Sequence, residues 1–246
     1  MNARGDLIFT SHGLTGGAES GALVPDGEMP AGLEQVVTGE ANREACQAVR
    51  DFLQDESGKG CLLWLHGPTG SGKTYLIRAV ASEIRRNGGS VCRMTGEELT
   101  QELVRNVRAH LDGEPENWPE DWENAETLLL EEEGCFAGKE ATQERVAALL
   151  SDWMEKGKRI VMTSPVGAAK TSLREELRRR GNKVTEAKLD PPDFPMKKEM
   201  LEQMARERRV SFTEAEKDRM AAEAENAARL RGLLTQKQAK ARGEGE

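Results

Sequence analysis

The stretch CLLWLHGPTGSGKTYLIRAV, residues 61–80, constrains the fold of this chain more than any other segment. An apolar run of strand character leads into a glycine-rich loop, and an amphipathic helical pattern follows. The loop matches G-x-x-x-x-G-K-[ST], a pattern in which backbone N–H groups surround phosphates and a helix N-terminus adds a positive dipole. Its members are Gly67, Pro68, Thr69, Gly70, Ser71, Gly72, Lys73 and Thr74. The strand–loop–helix context predicts a nucleotide-phosphate site.

Two residues of this P-loop have specific roles in the prediction. Lys73 is expected to contact the outer phosphates, and the Thr74 hydroxyl is expected to face Mg²⁺. The competing interpretation is a glycine-rich turn without a ligand. It is disfavoured because both flanking elements have the pattern that a P-loop requires.

A second apolar segment, TLLLEEE at residues 127–133, ends in carboxylates. We interpret it as a buried strand whose C-terminal edge lies near the phosphates, where ligands of open α/β sheets bind. Glu131 is assigned to Mg²⁺, and Glu132 to activation of the attacking water. The alternative is a solvated acidic turn, and the three leucines before it argue against that interpretation.

Strands and helices alternate along the chain up to residue 190. Further strands are predicted at SVCRM, RIVMTS and KVTEAKL, with helical patterns between them. Such alternation implies parallel strands with crossover helices, so the predicted fold class is α/β, a three-layer P-loop NTPase core. Residues 1–30 are predicted to be a disordered tail, residues 31–190 the core, and residues 191–246 an α-helical lid with a charged tail. The methionines of the lid are interpreted as its core.

Charge and cysteine content exclude several classes of function. The formal net charge of −8 disfavours a surface that binds nucleic acid throughout. Four separated cysteines without a CxxC pair provide neither a zinc knuckle nor a disulfide framework, which is typical of a reducing cytoplasm. The sequence shows no leader or membrane-spanning pattern, so we expect a cytoplasmic protein that does not contact a membrane.

Four segments resemble the DnaA-like AAA+ ATPases, a family of replication initiators, their regulators such as Hda, and DnaC-type helicase loaders. VVTGEANREACQAV is similar to the segment that frames the adenine, and LLLEEEGCFAGKEATQE is similar to the metal-binding strand. IVMTS is similar to the sensor 1 strand, and LREELRRRGNKVTEAKLDPPD to the arginine-finger segment. The resemblance runs from about residue 36 to about residue 236 and implies the AAA+ fold.

The resemblance also implies site residues in the core. Val37 would lie against the base, and Thr163, or its neighbour Ser164, would be the polar group of sensor 1. Arg180 would be the arginine finger that reaches the nucleotide of a neighbouring subunit. The implied cofactors are ATP, ADP and Mg²⁺.

Two departures from the family pattern affect these expectations. Glutamates stand at positions 131 and 132, where the family has aspartates, and the longer side chains are expected to preserve binding better than hydrolysis. In the lid, Ala228 takes the place of the sensor 2 arginine. Arg229 is therefore the candidate for the lid contact to the nucleotide.

Three functions stay open at this point. The first is a nucleotide switch in bacterial DNA replication initiation or its regulation, with slow ATP hydrolysis. The second is a non-hydrolysing nucleotide-bound adaptor or helicase loader. The third is a small-molecule P-loop kinase, which should show an acceptor-binding pocket and a mobile basic lid loop. It lacks support because the resemblance to AAA+ ATPases already explains Arg180, the AGKE segment and the helical C-terminal unit.

The partners implied by the resemblance are a second copy of the chain, an initiator or a replicative helicase, bound through the AAA+ face. Binding of single-stranded DNA and catalytic activity both stay open. No duplex-reading domain is expected after the lid.

Overall fold

The computed structural model describes residues 32–243, except for residues 56, 58, 132–133 and 166–171. The predicted tail and Glu132 lie outside the described residues. In the described part, five strands form one sheet: Cys61–His66 (β1), Val91–Thr95 (β2), Thr127–Glu131 (β3), Arg159–Ser164 (β4) and Val184–Lys188 (β5). All neighbouring pairs are parallel, and the strand order is β2-β3-β4-β1-β5.

The helices of the described ranges alternate with these strands and then continue alone. Before β5 they are Arg43–Gln54 (α1), Lys73–Arg86 (α2), Gly96–Leu111 (α3), Glu120–Asn124 (α4), Glu140–Glu155 (α5) and Ser172–Arg179 (α6). After β5 they are Phe194–Arg208 (α7), Glu214–Glu223 (α8) and Ala227–Gly243 (α9). Short 3-10 turns at Leu33–Gln35 and Glu40–Asn42 precede α1. None of the helices described has the length and apolar character needed to span a bilayer.

The sheet is covered by helices on both faces. Val49 of α1 and Ile77 of α2 pack against one face, and Leu150 of α5 and Leu177 of α6 lie in the cluster on the other. The central strands are buried on both faces, which is typical of parallel sheets. This burial explains why their sequences are continuous apolar runs. The prediction of a three-layer α/β core is confirmed.

Three tryptophans fill the layer formed by α3 to α6. Trp153 is 3% exposed and meets Trp118 and Trp122 edge to face, with ring centroids 5.8 and 6.4 Å apart. Trp118 and Trp122 stack on each other at 6.3 Å. The acidic segment that carries Trp118 and Trp122 is therefore tied to the core by aromatic contacts.

Helices α7 to α9 form a C-terminal helical unit with its own buried cluster. Leu201, Leu230 and Leu234 are fully buried within it. Local sequence sets its helix starts, because Asp193 accepts a hydrogen bond from the backbone N–H of Met196 at 2.9 Å and caps α7. The predicted capping box of Thr213 and Glu216 is present at the start of α8.

This capping box gives a prediction about pH. The ion pair with Lys237, followed by the hydrogen bond from the backbone N–H of Thr213, lowers the pKa of Glu216 from 4.5 to about 2. A lowered pKa in the folded state means that the ionised carboxylate stabilises the fold above the ordinary pKa, and that this contribution is lost as the pH falls toward about 2. We expect Glu216→Gln to lower the thermal unfolding midpoint at neutral pH, and the difference from wild type to shrink as the solution is acidified below about pH 4.5.

The control is Glu199→Gln, which changes an exposed carboxylate of α7. Its midpoint should follow that of wild type at every pH. A Glu216→Gln deficit that stays constant through acidification would contradict the assignment.

Candidate nucleotide-binding site

The P-loop connects the end of β1 to the start of α2, as the sequence predicted, and two glycines make its path possible. A Cβ on Gly67 would lie 2.1 Å from the carbonyl oxygen of Leu189, so only glycine permits this approach of the chain after β5. Gly72 precedes α2 with φ of 101°, in the left-handed region that favours glycine. The loop is thus shaped to turn its backbone inward at the N-terminus of a helix.

Two side chains of the loop are arranged for an anion. Lys73 Nζ donates to the carbonyl oxygens of Gly67 and Pro68 at 2.8 and 3.0 Å, which holds the ammonium across the loop. Ser71 is 6% exposed, and its Oγ is buried with no hydrogen-bond partner among the described residues. A buried hydroxyl without a partner costs free energy, so this atom indicates a site that a polar ligand completes.

A cavity of about 310 Å³ opens beside Ser71 and Gly72. Its walls come from the segment before α1, the start of α2, the chain after β5, and helices α7 and α9. The lining residues are Gln35, Val36, Val37, Asn42, Ser71, Gly72, Tyr75, Leu76, Leu189, Pro192, Met196, Met200, Gln203, Met204, Glu207, Ala227 and Arg231. A largely apolar cavity next to a phosphate loop suits a nucleoside.

The segment before α1 is fixed by side-chain hydrogen bonds. Asn42 is 6% exposed, donates to the Val37 carbonyl oxygen and accepts from the Gly39 N–H, both at 2.9 Å. The Gln35 carbonyl oxygen accepts from Tyr75 Oη at 3.3 Å and from Gln203 Nε2 at 2.7 Å. The structure therefore places Val37 in the cavity wall, and its contact with a base stays a prediction.

The C-terminal helical unit contributes residues that the sequence did not identify. Met196, Met200 and Met204 recur every four residues along α7 and line the cavity, while Met200 and Met204 also pack against the buried cluster of the helical unit, as their interpretation as core predicts. Their spacing places them on one face of α7, and that face turns toward the cavity. Methionine side chains are flexible, and their sulfur atoms make favourable contacts with aromatic rings.

The two arginines of α9 differ in position. Arg229 lies outside the cavity lining and pairs with Glu223 at 2.9 Å. Arg231 lines the cavity, with its guanidinium carbon 5.3 Å from the centroid of the Tyr75 ring. The structure brings Arg231, not Arg229, to the cavity wall, and a contact between Arg229 and a nucleotide stays a prediction.

The carboxyl ends of the central strands present a row of side chains near the P-loop. Glu131 of β3 is paired in register with Thr163 of β4, and Thr163 with Leu65 of β1. Residues paired in register share a face, and Leu65 belongs to the face covered by α1 and α2. Ser164 points to the opposite face, where its Oγ accepts from Trp64 Nε1 at 2.7 Å. Of the two residues considered for sensor 1, Thr163 lies on the side of the P-loop helix.

The carboxylate of Glu131 is engaged by an arginine. Glu131 is 6% exposed, and its Oε1 accepts from Nε of Arg93, on the neighbouring strand β2. The described residues contain no group of three or more His, Cys, Asp or Glu side chains that could hold a metal ion. The Glu131 carboxylate does not fit a directly bound Mg²⁺, because it already faces the guanidinium of Arg93. The assignment of Thr74 and Glu131 to Mg²⁺ stays a prediction.

Arg180 lies far from the P-loop of its own chain. It follows α6 directly and precedes the start of β5, which is the edge of the sheet opposite to the carboxyl ends of the strands. Its Nε pairs with Glu176 at 3.1 Å, and its side chain is 40% exposed. A guanidinium at this edge is available to another molecule, and the arginine-finger role stays a prediction.

The cysteine thiols of the core strands do not take part in the site. Burial, followed by the nearby Asp121 carboxylate, raises the pKa of Cys92 to about 12. Burial also raises the pKa of Cys61. Thiols with raised pKa values stay protonated at neutral pH and are poor nucleophiles.

Comparison with known proteins gives a consistent result. Residues 29–183 match the family described as the bacterial DnaA ATPase domain. Among curated proteins, the chromosomal replication initiator protein DnaA of Desulfatibacillum aliphaticivorans is 27% identical over 184 residues, which cover 73% of this chain and 40% of that protein. This chain thus spans about two fifths of that relative's length.

Solved structures show the same fold. Domain III of the Thermotoga maritima replication initiation protein DnaA superimposes with a TM-score of 0.72 at 23% identity, covering 88% of this chain and 90% of that domain. A replication initiator DnaA bound to AMPPCP and single-stranded DNA gives a TM-score of 0.67 at 21% identity, covering 83% and 63% of the two chains.

The match covers more than half of the chain, and it includes the P-loop, the acidic strand end and the segment before α1. The parallel sheet and its flanking helices agree with the DnaA domain III architecture. The chain belongs to the family of bacterial DnaA ATPase domains.

Proposed function

We propose that this protein binds ATP or ADP, with the base and ribose in the 310 Å³ cavity and the phosphates in the P-loop. The observation that carries the proposal is the buried Ser71 hydroxyl, which lacks a partner among the described residues and lies where the cavity meets the P-loop. Phosphate oxygens are strong acceptors and would satisfy this donor. An AMPPCP complex of a DnaA with the same fold supports the choice of an adenine nucleotide.

We further propose a nucleotide switch that acts in DNA replication initiation or its regulation. Residues 191–246 would act as a lid on the core formed by residues 31–190, since α7 and α9 contribute walls to the cavity. Nucleotide binding would then fix the lid relative to the core. The partner would be a second copy of the chain, an initiator or a replicative helicase, and single-stranded DNA is a further candidate because a DnaA of the same fold binds it.

In this function Arg180 would act in trans and assist slow hydrolysis in a neighbouring subunit. Its exposed position at the opposite edge of the sheet supports that role, because it cannot serve the P-loop of its own chain. A second candidate function is a non-hydrolysing adaptor that keeps its nucleotide bound. The ion pair between Arg93 and Glu131 favours this candidate, because it occupies the carboxylate at the C-terminal end of β3 that the sequence assigned to Mg²⁺.

Replacement of Arg180 separates the two functions. For the switch, we expect Arg180→Ala to reduce steady-state ATP turnover by about 10³-fold, the effect of removing an arginine finger, while ATP affinity changes by about twofold or less. The matched control is Arg179→Ala, because Arg179 pairs with the same Glu176, at 2.8 Å. This control should keep its turnover within about twofold of wild type.

The measurements are phosphate release over a range of protein concentrations and nucleotide affinity by calorimetry. Turnover that is measurable in wild type and unchanged in Arg180→Ala would contradict action in trans. Tight nucleotide binding without turnover in wild type would establish the adaptor.

A further inference from the structure

Arg93 is placed to act on the electrostatics of the proposed phosphate site. It lies on β2, on the same face as Val91, which packs with the cluster beneath α1 and α2. From there its guanidinium reaches Glu131, the buried carboxylate at the end of β3. The Arg93 side chain is 33% exposed, so it bridges solvent and a carboxylate that is almost fully covered.

The pair lies within electrostatic range of the P-loop. Glu131, Thr163 and Leu65 are in one row of the sheet, and β1 continues from Leu65 through His66 into Gly67. Two strand spacings separate Glu131 from β1, a distance of about 10 Å. At an effective dielectric constant of about 20, one unit charge over this distance changes the affinity for an anion by roughly tenfold.

A buried carboxylate without a counter-charge would therefore repel a nucleotide's phosphates. P-loop proteins place Mg²⁺ between such a carboxylate and the phosphates. Here the guanidinium of Arg93 already neutralises Glu131, and it is part of the chain. Two departures thus meet at this point: a glutamate stands where the family has an aspartate, and its carboxylate pairs with an arginine on the neighbouring strand β2.

We propose that Arg93 is a positioning residue that neutralises Glu131 in place of a divalent cation, so that this chain holds ATP with little dependence on Mg²⁺. The proposal rests on the proposed nucleotide binding and adds a regulatory property to the same site. Nucleotide would stay bound when free Mg²⁺ is low. As a consequence, the Glu131 carboxylate would not be free to bind Mg²⁺.

The test measures ATP affinity by calorimetry with Mg²⁺ and with EDTA, for wild type and for three variants of the full chain. For wild type, we expect the two affinities to agree within about threefold. Arg93→Gln leaves Glu131 charged, so its affinity in EDTA should fall by about tenfold and recover with Mg²⁺. Arg93→Gln combined with Glu131→Gln removes both charges and should restore metal-independent binding.

The matched control is Arg105→Gln, which removes an arginine of α3 that pairs with Glu102 at 2.6 Å. It should behave as wild type, and circular dichroism should show that all variants are folded. The role of Arg93 would be overturned, with the proposed nucleotide binding left intact, if wild type bound ATP at least about tenfold more tightly with Mg²⁺ than with EDTA and Arg93→Gln showed the same ratio of affinities. Absence of ATP binding by every folded protein in both buffers would overturn the proposed function, and the role of Arg93 with it.

Discussion

Replacing Lys73 with alanine is expected to weaken ATP binding by about 100-fold or more. The Lys73 ammonium lies across the P-loop, bonded to the carbonyl oxygens of Gly67 and Pro68, in the position from which it can turn to a bound phosphate. A hydrogen bond to a charged group contributes about 1.5–3 kcal/mol, and the loss of two such bonds corresponds to a change of at least about 100-fold in affinity.

Calorimetric titration with ATP checks this expectation, with Lys183→Ala as the matched control. Lys183 is 69% exposed and pairs with Asp55 at 3.0 Å, at the edge of the sheet opposite to the P-loop. Its loss should leave affinity within about twofold of wild type. A folded Lys73→Ala protein that binds ATP as well as Lys183→Ala would show that the P-loop does not hold the phosphates.

Replacing Trp153 with alanine is expected to cost about 3–5 kcal/mol of the free energy of unfolding. Trp153 is 3% exposed and forms the centre of the contact with Trp118 and Trp122. Its removal opens a cavity between α5 and the acidic segment, and both edge-to-face contacts are lost. Unfolding in urea, followed by far-ultraviolet circular dichroism, measures the change.

Trp118→Ala provides the matched control within the same cluster. Trp118 is only half-buried, so its truncation leaves a smaller unfilled volume and is expected to cost about 1 kcal/mol. Equal losses in the two variants would mean that the acidic segment and α5 contribute equally, and the proposed central position of Trp153 would be wrong.

The elements that the sequence predicted are those with local signals. The P-loop reads as strand, glycine loop and helix over one continuous stretch, and the structure has β1, the loop and α2 at those positions. The buried strand ending at Glu131 and the capping box at Thr213 are likewise set by neighbouring residues. Alternation of strand and helix then determines the layers, because parallel strands need covered crossovers.

The parts that could not be predicted depend on contacts between distant segments. The engagement of Glu131 requires knowledge that β2 and β3 are neighbours and that Arg93 shares a face with Glu131. The same holds for Arg231, whose approach to Tyr75 joins α9 to α2. One feature of the sequence pointed to Arg231. It lies three positions after Ala228, the position of the sensor 2 arginine in the family, and residues three apart lie on nearly the same side of a helix.

The carbonyl oxygen of Gln35 joins parts of the molecule that are far apart in sequence. It accepts one hydrogen bond from the hydroxyl of Tyr75, in the helix that begins in the P-loop, and another from the side-chain amide of Gln203, in α7. A carbonyl oxygen has two lone pairs, so both donors can be held at once. A displacement of the backbone at Gln35 would therefore change its hydrogen bonds to α2 and to α7 at the same time, so this one peptide group couples both helices to the segment before α1.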